Sequence, residues 1–203
     1  MVDEPCTYKN SIQFNDTIKD ITVTFDTEKG MFSYTKVDEG SRFLIETIED
    51  KVLIKPKSKI IDFGCGYGVI GILLAILHKD SRILLIDKNT TCTLYSEKNI
   101  LNNKLINCEV LSCDGLKAIN KTKYYDVIVS HFPMHINTGK KEEIIKQFYE
   151  KMNNGGTLVL AVLSKYNLSS FTNLYFTEIS QTKSNTKPEY IVYVYKKKRE
   201  SLY

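Results

Sequence analysis

The sequence has no apolar run of the ~18–20 residues that a membrane-spanning helix needs. Its longest apolar segment, residues 69–77, is interrupted by Gly71 and is typical of a buried helix. The first five residues, Met1 to Pro5, are polar and acidic, and the apolar core of a signal peptide is missing there. We therefore expect a cytoplasmic protein with no membrane partner.

The sequence also lacks the cysteine spacing of a zinc site or a disulfide framework. Its five cysteines are an odd number, they are scattered, and none forms a Cys-x-x-Cys pair. This pattern predicts neither a disulfide nor a metal ion, and it favours a reducing compartment. The positions are Cys6, Cys65, Cys92, Cys108 and Cys113.

Internal repeats and low-complexity linkers are absent, and 203 residues suit one domain with at most a short extension. Hydrophobic residues make up 42% and charged residues 26%, which is typical of a globular protein. The formal charge of +4 is compatible with a nucleic-acid partner but does not require one. We interpret the densest basic run, Lys196 to Arg199, as a solvated tail in preference to a phosphate-binding patch.

The chain divides into two parts with different sequence patterns. Up to about Gly30, alternating residues such as Ile21, Val23 and Phe25 predict a half-buried strand, with residues 12–18 as its hairpin partner. We predict an N-terminal β-hairpin extension at residues 1–30 and the main domain at residues 31–203. At the start of the main domain, Asp38 offers helix N-cap chemistry before an apolar stripe at helical spacing.

From Lys59 onward, short apolar runs alternate with helical patterns. Strands that are buried on both faces of a parallel sheet read as continuous apolar runs, so this alternation predicts a doubly wound α/β fold. The chain ends in two strand patterns joined by a polar loop, which predicts an antiparallel hairpin at the edge of the sheet. The predicted strands are 60–63, 83–86, 108–111, 125–130, 157–163, 175–179 and 190–195. Residues 153–156, Asn-Asn-Gly-Gly, are predicted to end a helix before the next strand.

A glycine-rich turn, Asp62-Phe63-Gly64-Cys65-Gly66-Tyr67-Gly68, follows the first of these strands and opens a helix. Glycine permits positive φ and a close approach of the backbone to a ligand. The third glycine of a dinucleotide fingerprint would fall at Val69, which disfavours a nicotinamide cofactor. We interpret Gly71 as a glycine of helix packing and Cys65 as a small packing residue.

Three aspartates mark the ends of successive strands. Asp62 at the mouth of the glycine turn would repel a pyrophosphate but suits an ammonium group. Asp87 can accept from both hydroxyls of a ribose, and Asp114 can accept from an adenine amine. A cationic amino acid, a ribose and an adenine along one sheet edge describe S-adenosylmethionine.

Residues 30–163 resemble the small-domain class I methyltransferases, which include ribosomal RNA guanine-N2 methyltransferases. The resemblance is carried by the glycine turn with Asp87 and Asp114, and by four further segments: Gly30-Met31-Phe32-Ser33, Val37-Asp38-Glu39-Gly40-Ser41-Arg42, Tyr125-Asp126-Val127-Ile128-Val129-Ser130 and Gly155-Gly156. It implies a Rossmann-like, mostly parallel seven-stranded sheet with a C-terminal antiparallel hairpin, and S-adenosyl-L-methionine as cofactor. The cofactor-binding residues that it implies are Asp62, Gly64, Cys65, Gly66, Gly68, Asp87, Lys88, Asp114 and Ser130.

One segment departs from the family pattern. Where such enzymes carry Asn-Pro-Pro-aromatic, this chain has Ser130-His131-Phe132-Pro133-Met134-His135. His131 could act as an acceptor or general base, the pocket could serve another nucleophile, or catalysis could have been lost. His131 could also be a residue of the pocket wall only.

The resemblance implies methyl transfer to a nitrogen of RNA, a guanine exocyclic amine in ribosomal or transfer RNA. The candidate catalytic residues are His131 and Pro133, and the candidate substrate-binding residues are Phe32, Phe132, Met134 and His135. The alternatives are a small-molecule or protein methyltransferase and a non-catalytic cofactor-binding subunit. RNA is the expected partner, and the sequence leaves open whether the chain is a monomer or a homodimer.

Overall fold

The computed structural model describes residues 11–199. The chain begins with a two-stranded antiparallel hairpin, β1 (Ser11–Ile18) and β2 (Ile21–Glu28). Helix α1 (Glu39–Lys51) follows, with the side chain of Asp38 accepting a hydrogen bond from the Ser41 amide as predicted for an N-cap. The part of the predicted extension before Ser11, including Cys6, lies outside the described residues.

The main body alternates strands and helices. Its elements are β3 (Lys59–Phe63), α2 (Val69–Leu77), β4 (Arg82–Asp87), α3 (Thr90–Asn102), β5 (Cys108–Ser112), β6 (Tyr125–His131), α4 (Thr138–Lys151), β7 (Met152–Leu163), the short α5 (Ser169–Thr172), β8 (Phe176–Lys183) and β9 (Tyr190–Lys197). The strand order is β5-β4-β3-β6-β7-β9-β8. All neighbours from β5 to β7 are parallel, and β9 pairs antiparallel with both β7 and β8. The predicted fold class, including its reversed terminal hairpin, is confirmed.

The two faces of the sheet are covered by different helices. Ile60 and Val127 pack with α1, α2, α3 and the N-terminal hairpin in one apolar cluster. Their sequence neighbours Ile61 and Ile128 pack with α4 in the other. Because successive side chains of a strand point to opposite faces, the continuous apolar strands supply both layers. Gly71 of α2 faces the sheet, and a Cβ there would lie 2.6 Å from Cγ of Leu85, as its predicted packing role requires.

The order of the strands reverses between β3 and β6. From β3 the chain moves outward through β4 and β5, and it then returns to place β6 on the other side of β3. In open α/β sheets a ligand crevice forms at such a switch point, outside the carboxyl ends of the strands. The loops after β3 and β6 therefore stand where a ligand site is expected.

One local prediction was wrong, and a second was right only in part. Residues 153–156 do not form a loop, because β7 begins at Met152 directly after α4. The pairing of β6 and β7 is irregular between Tyr125 and Val127, and this irregularity accommodates the additional residues of β7. The interpretation of the basic run as a solvated tail holds only in part, because Lys196, Lys198 and Arg199 are exposed but Lys197 is buried. Lys196 and Lys197 belong to β9, and the buried Lys197 donates to the carbonyl of Met152 and lies over the ring of Tyr149.

The N-terminal hairpin is joined to the main body by Asn99 of α3. The side-chain oxygen of Asn99 accepts from the Asp26 amide at 2.7 Å, and its amide group donates to the carbonyls of Asp26 and Tyr67, both at 2.9 Å. The hairpin and the main body are thus connected through the buried side chain of Asn99. The boundary at residue 30 stays a prediction.

We expect Asn99→Ala to lower the free energy of unfolding by about 2–4 kcal/mol, because three buried backbone groups lose their partner. Urea unfolding checks this value. The exposed Asn120→Ala, whose side chain accepts only from neighbouring Thr122, is the matched control and should cost well under about 1 kcal/mol. Equal values for the two variants would contradict the role of Asn99.

Candidate active site

One cavity of about 520 Å³ opens at the switch point. Its wall contains the loop after β3, the ends of β4 and β6, the loop after β5, and residues from α1 and β9. The predicted site residues that line it are Phe32, Gly64, Cys65, Gly66, Asp87, Lys88, Asp114, His131, Phe132, Pro133, Met134 and His135. Asp62, Gly68 and Ser130 do not line it; they support the segments that do.

The glycine turn is attached to the end of β4. The amides of Gly64 and Cys65 both donate to the carbonyl of Ile86, at 2.8 and 3.0 Å. Gly66 has a φ of 58°, and Gly68, the N-cap of α2, has a φ of 98°. A side chain is strained at such angles, and a Cβ at Gly68 would in addition lie 2.9 Å from Ile72. The turn thus presents bare backbone to the cavity.

Cys65 has the packing role that the sequence predicts. Its Sγ lies 3.5 Å from Oγ of Ser96 and the residue is buried. Burial raises the pKa of the Cys65 thiol well above its usual range. A thiol of this kind is a poor nucleophile, since the thiolate is the reactive form.

Asp62 is fully buried and stands behind the turn. Its Oδ2 accepts from the Gly71 amide at 2.8 Å, which joins the end of β3 to the first turn of α2. Burial raises the pKa of Asp62 to about 7; the hydrogen bond from Gly71 acts in the opposite direction, and the charge of Asp87 raises the value further. Asp62 therefore holds the turn in place, and a direct contact with an ammonium group stays a prediction.

The raised pKa of Asp62 has a consequence for stability. A carboxyl group whose pKa is higher in the folded protein makes its full contribution to the free energy of unfolding below its ordinary pKa of 3.8. This contribution is lost as the pH rises toward 7. We expect the free energy of unfolding of the wild type, relative to Asp62→Asn, to fall by up to about 4 kcal/mol between pH 4 and pH 8. Urea unfolding of both proteins across this range measures the difference, and parallel curves would contradict the assignment.

Asp87 connects the end of β4 to the glycine turn. Its Oδ2 accepts from the Gly66 amide at 3.0 Å, and its Oδ1 accepts from the Asn89 amide at 2.9 Å. Each carboxylate oxygen has a second lone pair, so both can still accept from a ligand hydroxyl at the cavity. Lys88 follows on the rim and is exposed.

Asp114 is 62% exposed and pairs with Lys140, whose Nζ lies 3.0 Å from Oδ2. Lys140 lies in the first turns of α4 and also lines the cavity, although no sequence motif indicated it. Its only sequence signal is its place just after the altered segment that follows β6. An adenine amine at Asp114 would share that carboxylate with Lys140.

His131 ends β6 and is surrounded by three elements. Its Nδ1 lies 3.3 Å from Oδ1 of Asp38, and its ring meets the rings of Phe32 and Tyr190 edge-on, at centroid distances of 5.9 and 5.5 Å. A Cβ at Gly40 would lie 2.7 Å from Cε1 of His131 and 2.6 Å from Cε1 of Tyr190. Only glycine allows α1 to approach these rings so closely. Asp38 and Tyr190 were missed as site residues, since the sequence showed only the capping role of Asp38.

The two phenylalanines proposed for substrate binding differ in exposure. Phe132 is 3% exposed and packs against Phe148 at a centroid distance of 6.3 Å, so its ring belongs mainly to the core. Phe32 is 67% exposed beside His131. Phe32 is therefore the ring that stands available at the cavity mouth.

The described residues hold no cluster of histidine, cysteine and carboxylate side chains suited to a metal ion. Within residues 11–199, no helix combines the length and the apolar character needed to cross a membrane.

The family model of the methyltransferase small domain matches residues 22–194. The chain belongs to this family. Its membership confirms the predicted enzyme class, a methyltransferase that depends on S-adenosylmethionine. The cavity at the glycine turn is therefore the candidate active site of this methyltransferase.

Sequence relatives include the YbxB protein of Bacillus subtilis, 29% identical over 165 residues, which cover 80% of each chain. Ribosomal RNA small subunit methyltransferase C of Buchnera aphidicola is 27% identical over 190 residues, covering 92% of this methyltransferase and 55% of the relative. The Haemophilus influenzae protein of the same name is 32% identical over 146 residues, covering 70% and 42%. The chain thus spans about half the length of the relatives named as ribosomal RNA methyltransferases.

Solved structures share the fold. The 16S rRNA N2 methyltransferase RsmC of T. thermophilus, in complex with AdoMet and guanosine, superposes with a TM-score of 0.80 at 20% identity, over 93% of this methyltransferase and 51% of that chain. TrmN from Thermus thermophilus gives a TM-score of 0.67 at 17% identity, over 78% and 48%. At these identities the likeness shows the fold alone.

Proposed function

We propose that this methyltransferase transfers a methyl group from S-adenosylmethionine to the exocyclic amine of a guanine in RNA. The observation that carries the proposal is the juxtaposition of a glycine-turn cavity with His131 and the exposed ring of Phe32. The match to ribosomal RNA small subunit methyltransferase C of Buchnera aphidicola, over 92% of this chain and 55% of the relative, supports RNA as the substrate class. A cytoplasmic location, where ribosomal and transfer RNA are methylated in bacteria, belongs to the same proposal.

The cavity suits the cofactor in size and chemistry. Gly64 and Gly66 leave room for a ligand against the backbone, since nothing lies within 4 Å of a Cβ built at either position. Asp87 supplies acceptors for the ribose hydroxyls, and Asp114 with Lys140 lies where the loop after β5 meets the cavity. The cofactor supplies an activated methyl group, so positioning of the acceptor accounts for most of the rate enhancement.

The acceptor base is proposed to lie between the cavity mouth and His131. A base extruded from RNA can stack on Phe32, because aromatic rings bind unstacked bases at about 1–3 kcal/mol each. Pro133 and Met134 complete the wall behind the amine, and the exposed His135 and Lys88 stand on the rim, where a phosphate could be contacted.

Transfer of a labelled methyl group into total RNA tests the substrate class. We expect label that is removed by ribonuclease and that is absent with Asp87→Ala, because Asp87 lines the cavity. Label that resists ribonuclease would favour a small-molecule or protein acceptor. Cofactor binding without any transfer would indicate a non-catalytic subunit.

A further inference from the structure

A carboxylate from the start of α1 meets the imidazole at the end of β6, although the two residues are 93 positions apart in the sequence. Oδ1 of Asp38 lies 3.3 Å from Nδ1 of His131 and 3.0 Å from the Ser41 amide, and Oγ of Ser41 lies 3.5 Å from the same Nδ1. The side chain of Asp38 is 10% exposed and that of His131 is 20% exposed. The pair is thus shielded from water but borders the cavity.

The charge of Asp38 bears on which ring nitrogen of His131 carries the hydrogen. Burial by itself would raise the pKa of Asp38, but the hydrogen bonds and charge of His131, together with Ser41, lower it below its usual value. An ionised carboxylate can only accept, so its contact favours the tautomer of His131 that carries the hydrogen on Nδ1. In the neutral imidazole Nε2 then has a free lone pair, and no group among residues 11–199 hydrogen-bonds to it.

We propose that Asp38 is a positioning residue, which holds neutral His131 with its hydrogen on Nδ1 so that Nε2 accepts the proton of the methylated amine. This inference rests on the proposed function. In related enzymes an amide and a proline stand at this position and orient the amine. In the proposed arrangement the imidazole of His131 acts there as a base.

The amine nitrogen forms a bond to the methyl carbon, the bond from that carbon to sulfur breaks, and its electron pair stays on sulfur. The proton that the nitrogen loses passes to Nε2 of His131. The resulting imidazolium lies beside the Asp38 carboxylate, which stabilises its charge until the proton leaves to solvent.

The groups that face the imidazole are Asp38 and Ser41 of the α1 terminus, Phe32 of the preceding loop and Tyr190 of β9. Burial raises the pKa of Tyr190, and the charges of Asp38 and Glu39 raise it further, so this tyrosine stays neutral. His131 is then the group at this position that accepts the proton of the amine.

The variant Asp38→Asn removes the charge and keeps a side chain that caps a helix equally well. We expect kcat to fall about 10- to 100-fold, with the KM for RNA and the affinity for S-adenosylmethionine changed less than about threefold. His131→Asn should lower kcat at least as much as Asp38→Asn, and adding Asp38→Asn to it should have little further effect. Full, additive losses in the double variant would overturn the proposal.

Asp16→Asn is the matched control. Asp16 also accepts from a backbone amide, that of Val37, and pairs with Arg42 of α1, but it does not line the cavity. Its loss should leave kcat unchanged. A kcat lowered as much as in Asp38→Asn would show that the effect is structural.

The tautomer of His131 gives a readout that is independent of turnover. In ¹⁵N-labelled wild-type protein, long-range ¹H–¹⁵N spectra should show Nδ1 protonated and Nε2 bare, and Asp38→Asn should redistribute the hydrogen. A hydrogen on Nε2 in the wild type would overturn the proposal even if every variant folds poorly. If wild-type protein methylates no RNA, the proposed function fails, and the spectra still decide the Asp38–His131 arrangement.

Discussion

Asp87→Ala protein should bind S-adenosylmethionine at least about 100-fold more weakly than the wild type. The carboxylate performs two tasks, since it accepts from the Gly66 amide and offers its remaining lone pairs at the cavity. Hydrogen bonds to a charged acceptor contribute about 1.5–3 kcal/mol each, so losing a pair to the ribose alone accounts for a factor of this size. Release of the glycine turn adds to it.

Titration calorimetry measures the affinity, and thermal unfolding shows that the variant is folded. Asp80→Ala is the matched control, because Asp80 is an exposed residue of the turn before β4 and does not line the cavity. Wild-type affinity in folded Asp87→Ala would show that the cofactor lies elsewhere.

Gly40→Ala should lower kcat/KM about 100-fold. The added methyl group would lie within 2.7 Å of the rings of both His131 and Tyr190, so one ring or the helix must move. A displacement of about 1 Å of the groups in an active site lowers the rate by about 100-fold. We expect the accompanying loss of stability to be about 1–3 kcal/mol, the usual cost of overpacking.

Gly139→Ala provides the comparison for this prediction. Gly139 lies in α4, where a Cβ would meet only Oδ1 of Asn137, at an ordinary 3.8 Å. Alanine favours the helix over glycine, so this variant should keep its activity and gain slightly in stability. Similar activity in both variants would contradict the importance of the close approach at Gly40.

The fold could be predicted from the sequence to a large extent because its strands are short, apolar and separated by helical patterns. The run Ile60-Ile61 already indicates a sheet with helices on both faces, since each residue packs against a different set of helices. The break at Gly155 was misinterpreted for a physical reason. Its φ of 72° is typical of a loop, but here it is accommodated inside an irregular strand pairing.

The candidate site was predictable where one short segment contains it. The glycine turn and Asp87 lie at consecutive strand ends, and the structure brings them together as expected. The Asp38–His131 and Asp114–Lys140 contacts were not predictable, because each joins distant segments through tertiary packing. Asp62 shows a different limit of prediction from the sequence. Its position in the motif was informative, but its complete burial cannot be read from the motif.

The most direct test of the proposed reaction is mass spectrometry of nucleosides from RNA that has been incubated with the protein and S-adenosylmethionine carrying a heavy methyl group. We predict heavy N2-methylguanosine, formed by the wild type and not by Asp87→Ala. A heavy methyl group on another nucleoside, or on no nucleoside while the cofactor binds, would contradict methylation of the guanine amine.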